Sequence, residues 1–173
     1  IADLRRWVGH MPEQVRWQGR TTVRETLMQL GDMRGESEQR VDRLVALVGL
    51  RSREDEVLDN LSQGMRQRLS IAAALLGSPK VLLLDEPFTG LDEASAERLQ
   101  ARLLSQRENT GGTARSLVVV THDPRRAVAL SDRALVLHRG NVRATPARGE
   151  EAFSPDALRE TLVALARGAE VAA

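Results

Sequence analysis

The 173-residue sequence contains no cysteine, so it can build neither a disulfide nor a thiolate metal site, which suits a reducing compartment. No apolar run approaches the roughly 20 residues of a membrane span, and no signal-peptide pattern is visible. Charge of one sign is not in excess: 25 basic residues against 24 acidic ones leave a net charge of +1, which gives no argument for a nucleic-acid-binding surface. Lysine is almost missing, with Lys80 the single one. A phosphate-binding loop of the Gly-x-x-x-x-Gly-Lys-Ser/Thr type cradles phosphates with backbone amides and reaches them with its lysine. Lys80 sits behind Ser78-Pro79, so that motif is not in these residues. What is present is one domain's worth of chain, long enough for a core.

The chain is organised around Val81-Leu82-Leu83-Leu84-Asp85-Glu86-Pro87. Four consecutive apolar residues predict a strand buried on both faces of a parallel sheet. Pro87 cannot donate to a ladder, so the strand ends before it. Two adjacent carboxylates are costly to bury without a partner. They fit the end of a strand that opens onto a cation-holding cleft, where open α/β sheets bind ligands.

Upstream lies Leu61-Ser62-Gln63-Gly64-Met65-Arg66-Gln67-Arg68-Leu69, and downstream lie Thr89-Gly90-Leu91-Asp92 and Thr121-His122-Asp123. In this order, from about Val8 to Arg143, the stretches resemble the ATP-binding cassette (ABC) ATPases, with their signature motif, Walker B strand, D-loop and switch histidine. Gln63 and Met65 depart from the strictest signature, which has Gly and Gln there. The resemblance implies an α/β fold: a P-loop NTPase (RecA-like) core with a parallel sheet plus a helical subdomain. It also implies that this chain, which begins at Ile1, is the C-terminal two-thirds of such a domain, lacking the P-loop strand and the N-terminal β subdomain. The expected division is a helical subdomain over about 14–61, a core over 1–13 and 62–145, and a linker with a C-terminal helix over 146–173.

In chain order, Leu4 to Met11 predicts a strand ended by Pro12. Val8-Gly9-His10-Met11-Pro12-Glu13 resembles the family's Q-loop entry, with Glu13 where glutamine is usual and Gln14 beside it. Either can offer an oxygen to a hard cation. Thr22 and Glu25 form a capping box for a helix to about Gly31, with Val23, Leu27 and Leu30 on one face. A second helix is expected near Ser37 to Val48, ended by Gly49, and Arg51 to Asn60 reads as a charged loop. Ser62 is a good N-cap for the next helix, carrying Met65, Leu69, Ala72 or Ala73, and Leu76 on its face until Gly77. Asp92 caps a helix with Ala96, Leu99 and Leu103 on one side, ending before Gly111-Gly112. Ser116 to Val120 predicts a second continuous apolar strand, Ala134 to His138 another, and Gly140-Asn141 a hairpin turn. Ala144 to Ala152 reads as a linker. Ser154-Pro155-Asp156 starts a last helix with Leu158, Leu162 and Leu165 on one face. His10 and His138 carry no motif and read as structural.

The family resemblance implies roles as well. Asp85 would hold Mg²⁺, with Glu13 as a further oxygen ligand. Glu86 would polarise the attacking water, and His122 would bind the γ-phosphate of ATP. Ser62 and Gly64 would contact ATP bound to a second ATPase subunit, with Asp92 bridging a head-to-tail dimer. The partner would be an integral membrane permease, placing the protein peripherally at the cytoplasmic face of the cell membrane. Phe88 beside the Ser62-Gln63-Gly64-Met65 signature resembles the heme-exporter ATPases of cytochrome c maturation, with multidrug and polysaccharide exporters as rivals. A soluble ABC ATPase of translation or DNA repair, and a non-catalytic fragment, are the alternatives. Taken alone, the 173 residues are expected neither to bind ATP tightly nor to fold robustly. The family's strand order also implies that Ser116–Thr121 and Ala134–His138 do not pair directly.

Overall fold

A computed structural model describes residues 7–108 and 115–168. Among them the backbone forms β1 (Val8–Met11), α1 (Val23–Asp32), α2 (Glu38–Leu47), α3 (Gln63–Leu75), β2 (Val81–Asp85), α4 (Glu93–Glu108), β3 (Ser116–Val120), α5 (Pro124–Leu130), β4 (Val136–His138), β5 (Asn141–Ala144) and α6 (Pro155–Ala166). Contacts divide the chain into two compact units, Ile1–Val119 and Val120–Ala173.

The first unit is built around α3. Ser62 caps this helix by accepting from the Met65 N–H at 3.3 Å, which satisfies one of the amides a helix start leaves free. Leu69, Ile71, Ala72, Ala74 and Leu75 are buried, and the helix packs against β1, β2, α1 and α2. Gly9 of β1 makes the approach possible, because a Cβ there would lie 2.0 Å from the Ala74 carbonyl oxygen. The sheet order is β1-β2-β3. β1 and β2 run parallel in a register that sets Val8 opposite Val81 and Met11 opposite Leu84.

The helical pair closes as its sequence dictates. The Thr22 hydroxyl takes the Glu25 N–H, and the Glu25 carboxylate takes the Thr22 N–H at 2.7 Å. Val23, Leu27, Val41, Leu44 and Val45 turn inward. On the outside, Arg24 is held by Asp42 and Glu38, and its guanidinium keeps the Asp42 carboxyl below its ordinary value.

In the second unit β4 and β5 form an antiparallel hairpin. Val136, Leu158 and Leu165 make its small core, backed by Ala127, Val128, Ala134 and Ala144. Ser154 caps α6 through the Ala157 N–H at 3.3 Å.

Several sequence expectations are corrected here. Trp7 is helical, so the first strand begins at Val8, and Leu4 to Arg6 lie outside the described residues. The segment 51–60 contains two short 3₁₀ turns, Arg51–Arg53 and Leu58–Asn60, rather than a plain loop. The fourth strand begins at Val136, two residues later than expected. The hairpin turns on Arg139-Gly140, with φ of 49° and 76°, not on Gly140-Asn141; two left-handed residues match the twist of the flanking strands. The expected linker is ordered at its start: Ala144 belongs to β5, and the Ala134 N–H donates to the Pro146 oxygen at 2.9 Å. Leu162 of α6 is exposed, while Leu158 and Leu165 are buried. Gly111 and Gly112 lie outside the described residues. The third and fourth strands belong to separate sheets, in agreement with the expectation that Ser116–Thr121 and Ala134–His138 do not pair directly.

Candidate functional site

Parallel pairing of β1 with β2 carries both strands out at the same end, Met11 beside Leu84. Glu13 therefore follows one strand end, and Asp85 and Glu86 follow the next. Glu13 is exposed, and Asp85 and Glu86 are half-buried. Glu86 leaves the strand with φ of +46°, a left-handed conformation uncommon for a residue with a side chain. Its carbonyl oxygen accepts from the Thr89 N–H at 3.2 Å, and Leu91 N–H donates to Phe88 oxygen at 3.2 Å. These bonds fold Glu86 to Leu91 into consecutive turns.

The turn reaches the start of α3. A Cβ on Gly64 would lie 3.1 Å from Leu91 Cδ2 and 3.2 Å from the Gly90 oxygen, and one on Gly90 would fall within 2.7 Å of Gln63. Gln63-Gly64 and Gly90-Leu91 thus lie against each other within one chain, and the two glycines permit it. Ser62 is exposed. Asp92 is exposed as well and caps α4, with Oδ1 taking the Ser95 N–H at 2.8 Å and Oδ2 the Ser95 hydroxyl at 2.7 Å. Those bonds hold its carboxyl below the ordinary value.

His122 belongs to the second unit and is exposed. It precedes Asp123, which caps α5 through the Arg125 N–H at 2.9 Å. Burial pushes the Asp123 carboxyl up, but the Arg125 N–H and guanidinium outweigh it and leave the group below its ordinary value. His122, Asp123 and Arg125 line an open groove of about 450 Å³ with Arg159, Leu162 and Val163 of α6.

The donor set suits a hard cation held by few protein oxygens. Among the described residues no three His, Asp or Glu side chains gather into a metal cage. Asp85 and Glu13 supply carboxylate oxygens only, which fits Mg²⁺, an ion commonly bound by one or two carboxylates with phosphate and water completing its shell. The phosphate cradle is not among these residues, since Lys80 lies 3.6 Å over the Trp7 ring.

Sequence reasoning missed three contributors. Gln67 is buried and donates to the Glu86 main chain. Trp17 bonds Ser70 of α3 through its indole N–H at 2.8 Å. Arg34 donates to the Leu76 oxygen at 2.7 Å. Trp17, Arg34 and Ser70 line a second groove, of about 240 Å³, with Leu30, Ala73 and His10; His10 is exposed. A single Gln one helical turn before the buried Ile71 was the available signal for Gln67. Nothing local marks the other two.

The model of the family described as ABC transporter matches residues 1–89. The spermidine/putrescine import ATP-binding protein PotA of Mycoplasma genitalium is 38% identical over 109 residues, 63% of this chain and 19% of that protein. The sulfate/thiosulfate import ATP-binding protein CysA of Xanthomonas campestris is 45% identical over 111 residues, 63% of this chain and 32% of that protein. The nitrate import ATP-binding protein NrtC of Synechocystis is 45% identical over 105 residues, 61% of this chain and 15% of that protein. The chain thus spans less than a third of the length of these relatives. A solved structure titled as the ATP binding subunit of an ABC transporter superposes with a TM-score of 0.74 at 27% identity, covering 92% of this chain and 69% of that one. An archaeal ribosome recycling factor, aABCE1, in complex with stalk protein aP1 superposes at 0.61 and 27% identity, covering 74% and 24%. All three of these relatives are named as import proteins, which corrects the expectation of heme-exporter type.

Proposed function

Because this chain belongs to the ABC transporter family, we propose that it forms part of a nucleotide-binding subunit that hydrolyses ATP to drive uptake through a membrane permease. The observation that carries this reading is that β1 and β2 run parallel and exit at the same end, leading to Glu13 from one strand and to Asp85 and Glu86 from the other, with the turn after Glu86 meeting the capped start of α3. Direction of transport follows the relatives, whose names concern import of spermidine/putrescine, sulfate/thiosulfate and nitrate. Those cargoes share little chemistry, so selection of cargo is assigned to partners rather than to this chain. Heme export is withdrawn.

In this reading Asp85 holds Mg²⁺, with an oxygen from Glu13, and the ion when bound neutralises phosphate charge. Glu86 orients and polarises the attacking water. His122 stabilises charge developing on the transferred phosphoryl group. Ser62 and Gly64 present the start of α3 to the nucleotide of a second subunit, and Asp92 stands at that interface. The chain divides in this reading into a helical part over about 14–61, a core over 1–13 and 62–145, and a linker with a C-terminal helix over 146–173. The groove beside Trp17 and Arg34 is a surface on which the permease can seat. In this reading attachment to the membrane is through that partner; no helix among the described residues is long and apolar enough to cross a membrane.

The test is Glu86→Gln in the ATP-hydrolysing subunit that carries these residues. ATP binding is expected to persist while turnover collapses. Hydrolysis at the parent rate would remove Glu86 from the mechanism. A second reading, a soluble ATPase of translation, draws on the likeness to the ribosome recycling factor. Fractionation separates the two: co-purification with a permease supports the first, and with ribosomes the second.

A further inference from the structure

Gln67 is a polar side chain only 8% exposed in the second turn of α3. Its amide N–H donates to the Glu86 carbonyl oxygen at 2.7 Å, across 19 residues of sequence. That carbonyl belongs to a residue at φ of +46°, where contact between Cβ and backbone disfavours every residue but glycine. Such a conformation persists where the surroundings over-determine it. Two donors do so here: the Thr89 N–H from the following turn at 3.2 Å, and Gln67 from a separate element. Fixing the direction of the carbonyl fixes the peptide plane, and with it the direction in which the Glu86 Cα–Cβ bond leaves the strand.

We propose that Gln67 is the positioning residue of Glu86: its amide holds the left-handed backbone that aims the carboxylate. This rests on the reading of Glu86 as the group that orients water. Gln67 itself reaches the main chain of Glu86, not its carboxylate. The same helix begins at Ser62, so the element whose start faces the nucleotide of a second subunit also holds the aim of Glu86 in its own subunit. Displacement of α3 along its axis moves the amide away from the carbonyl and releases the turn.

Gln67→Met keeps the volume and removes the donor. Gln67→Glu keeps the shape and replaces the donor by an acceptor. In the ATP-hydrolysing subunit, each is expected to lower kcat on the order of 10–100-fold, the scale of a small misplacement of a reacting group, with KM for ATP within about 2-fold. Because Gln67 acts through Glu86, Gln67→Met placed on Glu86→Gln should cost nothing further. An unchanged kcat in Gln67→Met, with Glu86→Gln inactive, overturns the positioning role and leaves the Glu86 assignment standing. Parent-level turnover in Glu86→Gln overturns that assignment instead. An additive loss in the double variant shows that Gln67 acts elsewhere and also overturns the proposal. Should both Gln67 variants fail to fold, the unsubstituted, isotope-labelled protein decides. A scalar coupling between Gln67 Nε2 and the Glu86 carbonyl carbon supports the proposal, and its absence defeats it.

Discussion

β2 and β3 are each built on a run of four consecutive aliphatic residues, in Val-Leu-Leu-Leu-Asp and Ser-Leu-Val-Val-Val, and are covered very differently. In β2, Leu82 and Leu84 are 1% and 0% exposed; in β3, Val118 and Val120 are 46% and 51% exposed. β2 lies between two strands with α3 packed on it, whereas β3 ends the three-stranded order. A run of apolar residues therefore reports a strand's composition. Which of its faces is covered depends on the neighbours that the fold brings, and these are absent from the run.

The largest effect that bears on this contrast is expected at Gly9→Ala, in the strand that supports β2. The new Cβ would meet the Ala74 carbonyl at 2.0 Å and Pro79 Cγ at 2.8 Å, and a backbone atom cannot swing aside. The expected loss is about 3 kcal/mol or more, at the upper end of overpacking costs, read by chemical denaturation. A stable Gly9→Ala variant would mean that β1 and α3 are not so closely apposed. Next comes Leu84→Ala, which empties a fully buried site and should cost about 2–5 kcal/mol.

Acid gives an effect of middle size that should leave the contrast intact. The Asp42 carboxyl is held down by the Arg24 hydrogen bond, Asp92 by Ser95 and Asp123 by the Arg125 N–H and guanidinium against its burial. A carboxyl lowered in the folded state adds stability above its unfolded pKa and loses it as pH falls through the folded value. Melting temperature should therefore drop as pH falls below about 4, and Asp42→Asn should flatten that drop. The difference between Leu84→Ala and Val118→Ala should not move with pH. The smallest effect belongs to Val118→Ala, no more than about 1 kcal/mol at a half-exposed strand position. A loss equal to that of Leu84→Ala would show that both strands are equally covered and would end the comparison.

Much of the local structure was legible because its causes are local. Thr22 with Glu25, Ser62, Asp92 and Ser154 each cap the helix that follows, through bonds spanning three residues. Val41, Leu44 and Val45 bury the face that their spacing predicts. The order of the motif stretches points to the family, and residues 1–89 match its model. The turn at Arg139-Gly140 was misplaced by one residue because an asparagine and an arginine can both take a left-handed turn position, and only the strand register between Val136–His138 and Asn141–Ala144 chooses between them. The heme-exporter expectation failed on similar grounds. Phe88 and the Gln63 and Met65 departures are few residues, and each is compatible with the common site.

By itself the sequence determined the types of the main helices and strands, the helix starts and the residue chemistry at the strand ends. Hydrophobic period, capping side chains and proline stops act within a few residues and need no partner from afar. Only the tertiary structure decided which apolar strand is covered, that Gly9 must stay small against Ala74, and that Gln67 grips Glu86. Trp17 reaching Ser70 across 53 residues belongs to the same class. Such contacts arise when folding brings distant segments together, and a hydrogen bond or a steric limit of this kind has no period or spacing in the chain from which to be read.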